Sequence, residues 1–310
     1  MTLAILCSGQ GPQGPQMFAL TGDAPQAASL FTHAATLLGG RDPREIAQSA
    51  DDAVLHQNRN AQVLCVVQAL AAKASVGDAC PRQLIVAGYS VGEVAAWSVA
   101  GLVEPMATLD LVARRAEAMD AASVPGDGLL FVRGLARDIV EDLCRRHDAA
   151  TAIVNPGDAY MLGGPGPSLD ALGNEAKKKG ASRVVRAGVN VASHTVRLSA
   201  ASTAFRAILD RAPITAPAAG VRLFSGIDGS AVLDVRSGLD KLAAQISQTV
   251  EWAACLDACV EAGATGFLEL GPGRALAEMA TIAHPVIPAR SLEDFRTLRG
   301  VRTWLDQLLG

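Results

Sequence analysis

Leu84-Ile85-Val86-Ala87-Gly88-Tyr89-Ser90-Val91-Gly92-Glu93 carries an aliphatic run into a Gly-x-Ser-x-Gly turn, and Val94 to Ala100 continues it as a helix-like stretch. A serine on a sharp strand-to-helix turn takes a strained backbone, so its neighbours must be small and the flanking glycines permit close approach. The pattern predicts a nucleophile elbow, with Ser90 exposed above a sheet and the Val91 amide aimed at the oxygen of a bound acyl group. A glycine-rich turn that merely contains serine is the plain alternative; the strand before it and the helix after it favour the elbow.

Outward from this unit, the chain is long enough for a large core, and at 310 residues a large domain plus a smaller one is expected. Half of the residues are hydrophobic while aromatics are only 4%, which suits helices packed on a parallel sheet of short aliphatic strands. The expected class is α/β. A net charge of -4 without a dominant basic face argues against nucleic acid. The six cysteines are scattered, with no Cys-x-x-Cys pair, so neither a metal site nor a disulfide framework is indicated. Met1 to Cys7 lacks a basic leader region and reads as a first strand, and no later stretch has membrane-spanning length, so a cytoplasmic protein is expected.

The Ser8-to-Gln16 loop after that strand is rich in Gly, Pro and Gln, a composition that tends to line sites at strand ends. Asp51 to Ala74 has apolar residues at helical spacing, and Pro105 to Ala122 reads as a second helix bearing Arg114 and Arg115. From about Gly126 the order becomes strand (128–134), helix (138–147), two strands (151–154 and 160–163), helix (168–179) and strand (182–189). That order is βαββαβ, a ferredoxin-like unit. Helices at 199–210, 239–248 and 252–262 and strands at 221–225 and 266–270 return to α/β, and Gly271-Pro272-Gly273 reads as a strand–helix corner. The expected plan is a large α/β-hydrolase-like domain of residues 1–125 and 191–310, with a mainly parallel sheet, interrupted by a small ferredoxin-like domain of residues 126–190.

A serine nucleophile needs a base. Of the five histidines, His33, His56 and His147 sit in polar helical contexts and His284 precedes Pro285, whereas His194 lies in Asn190-Val191-Ala192-Ser193-His194-Thr195 at the exit of the small domain. A loop at a domain junction is a suitable place to hold a site residue.

Ser8-Gly9-Gln10-Gly11-Pro12-Gln13, Gly88-Tyr89-Ser90-Val91-Gly92-Glu93, Arg115-x-x-x-Met119, Asn155-Pro156, Ser193-His194 and Glu269-Leu270-Gly271-Pro272-Gly273 follow one another in an order and spacing that resembles the malonyl-CoA:acyl carrier protein transacylases. The likeness covers nearly the whole chain. Within that family, the Ser8–Gln13 loop, Thr21-Gly22-Asp23-Ala24-Pro25, Gly40-Arg41-Asp42-Pro43-Arg44 and Gly88 to Trp97 look most like the malonyltransferase subunit of bacterial malonate decarboxylase.

The resemblance implies an acyltransferase that moves malonyl from malonyl-CoA to the thiol of an acyl carrier protein through a malonyl-serine. Ser90 would be the nucleophile and His194 the base. The amides of Gln10 and Val91 would form the oxyanion hole, and the histidine would be oriented by a backbone carbonyl, matched here to Glu251. Arg115 would grip the malonyl carboxylate through paired N–H donors; an exposed helix arginine is the alternative. Gln62 falls near the family's pocket, though a buried glutamine satisfying a carbonyl fits as well, and Asn155 would contact the acyl group or CoA unless it only marks a β-turn. The carrier would be an acyl carrier subunit, alongside other decarboxylase subunits in the narrower reading, and Lys177, Lys178, Lys179, Arg183 and Arg186 would offer it a basic face. No cofactor is implied, CoA being part of a substrate. The competing functions are a fatty-acid-type transacylase, a serine hydrolase or thioesterase, and a scaffold with a dead elbow. Departures from the family's pattern include Tyr89 for its usual histidine, Cys7-Ser8 for Phe-Pro, and Gln248 and Glu251 for Asn and Gln.

Overall fold

The computed structural model describes residues 2–11 and 13–309; Met1, Pro12 of the glycine-rich loop, and Gly310 lie outside the described residues. The strands are β1 (Thr2–Cys7), β2 (Leu84–Gly88), β3 (Asp127–Arg133), β4 (Ala150–Asn155), β5 (Ala159–Pro165), β6 (Arg183–Arg186), β7 (Val221–Phe224), β8 (Val250–Glu251), β9 (Ala264–Glu269) and β10 (Ala289–Ser291).

Five of them form one sheet in the order β10-β9-β1-β2-β7, every neighbouring pair parallel. The central strands are aliphatic because both faces are covered. Leu3, Ile5 and Cys7 enter a core that includes Leu64 and Val67 of the helix Asn58–Val76, whereas Ala4 and Leu6 enter another that includes Trp252 and Leu256 of the helix Trp252–Glu261. Each fully buried large aliphatic side chain contributes about 1.5–3 kcal/mol. The first face thus anchors β1 and β2, whose C-terminal ends carry the Ser8–Gly11 segment and the Ser90 turn.

The second sheet has the order β6-β3-β5-β4-β8. Its first four strands pair antiparallel and, with the helices Arg137–Arg146 and Gly166–Lys178, enclose a separate core containing Leu130, Val132, Leu143, Leu162 and Leu172. β8 comes from outside this segment and pairs parallel with β4. Leu129 and Ile153 turn the other way and join the core that holds Trp252. The α/β class with a mainly parallel main sheet agrees with expectation.

Two expected elements differ. The helix read from Asp51 to Ala74 is broken at His56–Gln57 into Asp52–Leu55 and Asn58–Val76, because Asp51 caps the first piece through Val54 N and Gln57 is extended, with ψ 133°. The helix expected at 239–248 instead spans Val235–Ala244. Asp234 caps its start by accepting from Ser237 N, and at its other end the carbonyls of Gln245 and Ile246 lie beyond Ala244 with no helical partner. Among the described residues, no helix is long and apolar enough to cross a membrane.

Packing of the elbow against β1 yields a stability prediction. A Cβ on Gly92 would stand 2.1 Å from the Cys7 carbonyl oxygen, whereas one on Gly14 would meet nothing within 4 Å. Gly92→Ala should cost about 3 kcal/mol or more in denaturant unfolding and Gly14→Ala about 0.5 kcal/mol or less. Equal midpoints for the two variants would contradict the packing described.

Candidate active site

Ser90 sits at φ +55°, a left-handed backbone that a serine adopts only when its surroundings impose it. The surroundings are explicit. A Cβ on Gly88 would lie 2.3 Å from the Glu93 backbone, and one on Gly9 would lie 2.8 Å from the Tyr89 carbonyl oxygen, so the glycines are required by close approach. Gly92 N and Glu93 N donate to the Tyr89 and Ser90 carbonyls, closing the turn into the helix Gly92–Val99. Among the described residues, the Val91 and Gln10 amides have no backbone acceptor. Both residues are therefore free to donate toward an oxygen near Ser90, and Gln10 lines the same cavity as Ser90.

His194 also has a positive φ, +62°. Its backbone N donates to the Ile246 carbonyl at 2.8 Å, and its Nδ1 lies 2.6 Å from the Gln245 carbonyl oxygen. A carbonyl only accepts, so Nδ1 carries the proton and Nε2 presents a lone pair. That lone pair faces Ser90 Oγ at 2.8 Å, and the hydroxyl donates to it. Burial first, and the charge of Arg115 second, hold the imidazole pKa down to about 3, against the opposing pull of the Gln245 carbonyl. The ring is accordingly neutral at physiological pH and able to accept a proton.

The residue that orients His194 corrects the sequence reading. Glu251 does not do so: it lies on β8, and its carboxylate pairs with Arg137 at 2.8 Å at the protein surface. The acceptor is Gln245, whose carbonyl is available because the preceding helix ends at Ala244. Gln245 and Glu93 are the two members of the site that sequence reasoning left without roles. Their only signal was polarity inside otherwise apolar stretches.

Arg115 is fully buried on the helix Pro105–Ala122. Its Nη1 donates to Gln62 Oε1 at 2.6 Å, while Nε and Nη2 have no hydrogen-bond partner among the described residues. Gln62 in turn donates to Asn58 Oδ1 at 2.7 Å. Burial lowers the Arg115 pKa to about 10, with Glu93 opposing, and the group stays charged. Burial likewise raises Glu93 to about 7, although bonds from Gly226 N and the Gln245 amide and the Arg115 charge pull it down.

The cavity in front of Ser90 and His194 measures about 270 Å³, and Tyr89, Ile153 and Met161 supply part of its wall. Tyr89 is held by an edge-on contact with Trp252, with ring centroids 5.4 Å apart. Arg115 and Gln62 do not line the wall as it stands; they form a buried cluster close enough to His194 for the Arg115 charge to act on the ring. Asn155, expected to touch substrate, is buried at the end of β4 opposite Ala159 and is also absent from the wall, which β4 reaches through Ile153 instead.

A largely apolar groove of about 420 Å³ continues from the cavity, sharing Gln10, Gly11, Tyr89, Met161 and Ala187 with it and reaching Arg183 and Arg186. Of the basic residues singled out in the sequence, these two line the groove. Lys177, Lys178 and Lys179 are exposed at the end of the helix Gly166–Lys178 and do not.

The family model described as the acyl transferase domain matches residues 6–283. The malonyl CoA-acyl carrier protein transacylase of Mycobacterium bovis is 29% identical over 299 residues, covering 94% of this chain and 96% of that protein. The transacylase of the same name from Mycolicibacterium smegmatis is 30% identical over 233 residues, covering 73% of this chain and 77% of its own length. A solved acyl-carrier-protein S-malonyltransferase from Burkholderia pseudomallei 1710b superposes with a TM-score of 0.89 at 26% identity, over 98% of this chain and 100% of that one. The chain belongs to the acyl transferase domain family, among the malonyl CoA-acyl carrier protein transacylases, and is an acyltransferase enzyme.

Proposed function

We propose that the chain moves a malonyl group from malonyl-CoA to the thiol of an acyl carrier protein through a malonyl-serine at Ser90. The observation that carries this reading is the buried Arg115, two of whose donors are unused, beside a neutral His194 in contact with Ser90 Oγ. A malonyl carboxylate is the planar anion that such a pair of parallel donors fits, and burial makes the pairing selective against an uncharged acyl end.

In the first half-reaction, Ser90 Oγ gives its proton to His194 Nε2 and bonds to the thioester carbonyl carbon. The amides of Val91 and Gln10 hold the resulting oxyanion, each contributing about 3 kcal/mol. The carbon–sulfur bond then breaks, and His194 returns the proton to the departing CoA sulfur. In the second half, the carrier thiol loses its proton to His194, attacks the malonyl-serine and regenerates the hydroxyl. The acceptor role of the Gln245 carbonyl replaces the acid of a triad, which speaks against a serine hydrolase built on a carboxylate.

Relatives that act as free-standing transacylases favour the fatty-acid-type setting over the malonate decarboxylase one, for which the likeness of the Ser8–Gln13 and Gly88–Trp97 segments is the remaining support. The strand order β6-β3-β5-β4 supports reading the segment 126–190 as a ferredoxin-like insertion in an α/β-hydrolase-like frame of residues 1–125 and 191–310.

Intact-protein mass spectrometry after mixing with malonyl-CoA should find a malonyl adduct on wild type that is missing from Ser90→Ala. An unmodified wild type, or a modified Ser90→Ala, would contradict the mechanism. Arg115→Ala should lower kcat/KM for malonyl-CoA roughly a hundredfold or more while sparing or raising that for acetyl-CoA. A parallel fall for both thioesters would refute the carboxylate role.

A further inference from the structure

We infer that Glu93 is a positioning residue for the acyl transfer: its carboxylate holds the Gln245 side chain and thereby fixes the main-chain carbonyl that orients His194. The inference rests on the reading of Ser90 and His194 as nucleophile and base, and adds to it a residue that touches neither substrate nor the reacting atoms.

Three links connect the two residues. Glu93 Oε2 accepts from Gln245 Nε2. The carbonyl of the same Gln245 receives His194 Nδ1–H at 2.6 Å. His194 Nε2 meets Ser90 Oγ at 2.8 Å. The loop closes through the backbone, because Glu93 N donates to the Ser90 carbonyl at 3.0 Å. One short turn therefore carries both the nucleophile and the anchor of its base, although the chain separates Ser90 from His194 by 104 residues.

Geometry explains why an anchor is needed. Gln245 lies past the end of the helix Val235–Ala244, where the backbone is no longer fixed by a full set of helical bonds. Its own amide still donates to the Lys241 carbonyl at 2.9 Å, but its carbonyl has left the helical ladder, so a bond to the side chain adds a second hold on the direction of that carbonyl. Glu93 supplies the hold from the opposite element, and its carboxylate is itself fixed by Gly226 N at 3.0 Å. Both residues are fully buried, so water does not compete for these bonds. The charged group facing Glu93 is Arg115, whose charge favours the carboxylate, and Glu93 in turn favours the arginine's charge.

Oε2 makes both of these bonds, while Oε1 has no hydrogen-bond partner among the described residues. Glutamine can therefore reproduce the anchor, its amide oxygen taking the place of Oε2 and its NH₂ taking the unpartnered place. A purely structural carboxylate would not predict that the Glu93 and Gln245 variants share one defect in the base.

The test uses the full chain with Glu93→Ala, Glu93→Gln, Gln245→Ala and the Glu93→Ala/Gln245→Ala double variant. Glu93→Ala and Gln245→Ala should each lower kcat for Ser90 acylation about 10- to 100-fold with little change in the malonyl-CoA KM. The double variant should lose no more than either single one, and Glu93→Gln should restore most of the loss. The downfield NMR proton of His194 Nδ1–H should persist in wild type and Glu93→Gln and disappear in both alanine variants. Because that resonance is read without substrate, it separates failure of this link from failure of the malonyl reading. If Glu93→Ala does not fold, Gln245→Ala tests the same bond from its other end. Additive losses, a Glu93→Gln as impaired as Glu93→Ala, or an unchanged resonance in Gln245→Ala would overturn the inference.

Discussion

The hydrogen bond between the Gln245 carbonyl and His194 Nδ1 sets the chemistry available to this site. It decides the tautomer, and the tautomer decides that Nε2 faces Ser90 as an acceptor. Both partners of the resulting contact sit at positive φ, a strain of about 1–3 kcal/mol each that the parallel sheet and its helices must sustain. The main sheet provides that support by burying β1 and β2 on both faces and letting the strand ends emerge as two tight turns with glycine at each point of closest approach.

The electrostatics of the pocket follow from burial. A charged guanidinium, a carboxylate and an imidazole share a region from which water is excluded; Arg115 and Glu93 favour each other's charge, and Arg115 disfavours a charged His194. Arg115 disfavours a positive His194, while Glu93 is the charge that balances its own among the described residues. A substrate carboxylate seated on Arg115 would remove that repulsion, so the same anion that confers selectivity would make the histidine a better base at the moment it is required. In the proposed function, the arrangement would couple recognition of the far end of the acyl group to proton transfer at its near end.

Much of this was legible in the sequence. The aliphatic run before Gly88, the spacing of the glycines around Ser90 and the βαββαβ order from Gly126 each report local constraints, and local constraints leave local patterns. His194 was distinguishable because it follows the last strand of the βαββαβ segment, β6, on the way back to the main sheet. What the sequence hid were relations between distant segments. Gln245 orients His194 through its main chain, which any residue possesses, so its side chain gave no notice of the role. The expectation of Glu251 came from matching the family's segment onto residues 248–252, whereas the acceptor stands a few residues earlier, where the helix ends at Ala244. Asn155-Pro156 carried a turn signal, and residues 155–159 join β4 to β5 as that signal implies, whereas the depth of Asn155 depends on packing that no local pattern records.

The account turns on Ser90, His194 and Arg115 acting on one bound diacid thioester. A crystal structure of Ser90→Ala with malonyl-CoA measures this most directly. The account predicts the malonyl carboxylate within hydrogen-bonding distance of Arg115 Nε and Nη2, with the thioester oxygen at the Val91 and Gln10 amides. A carboxylate bound instead at Arg183 and Arg186 in the outer groove, with Arg115 Nε and Nη2 still without an acceptor, would contradict it.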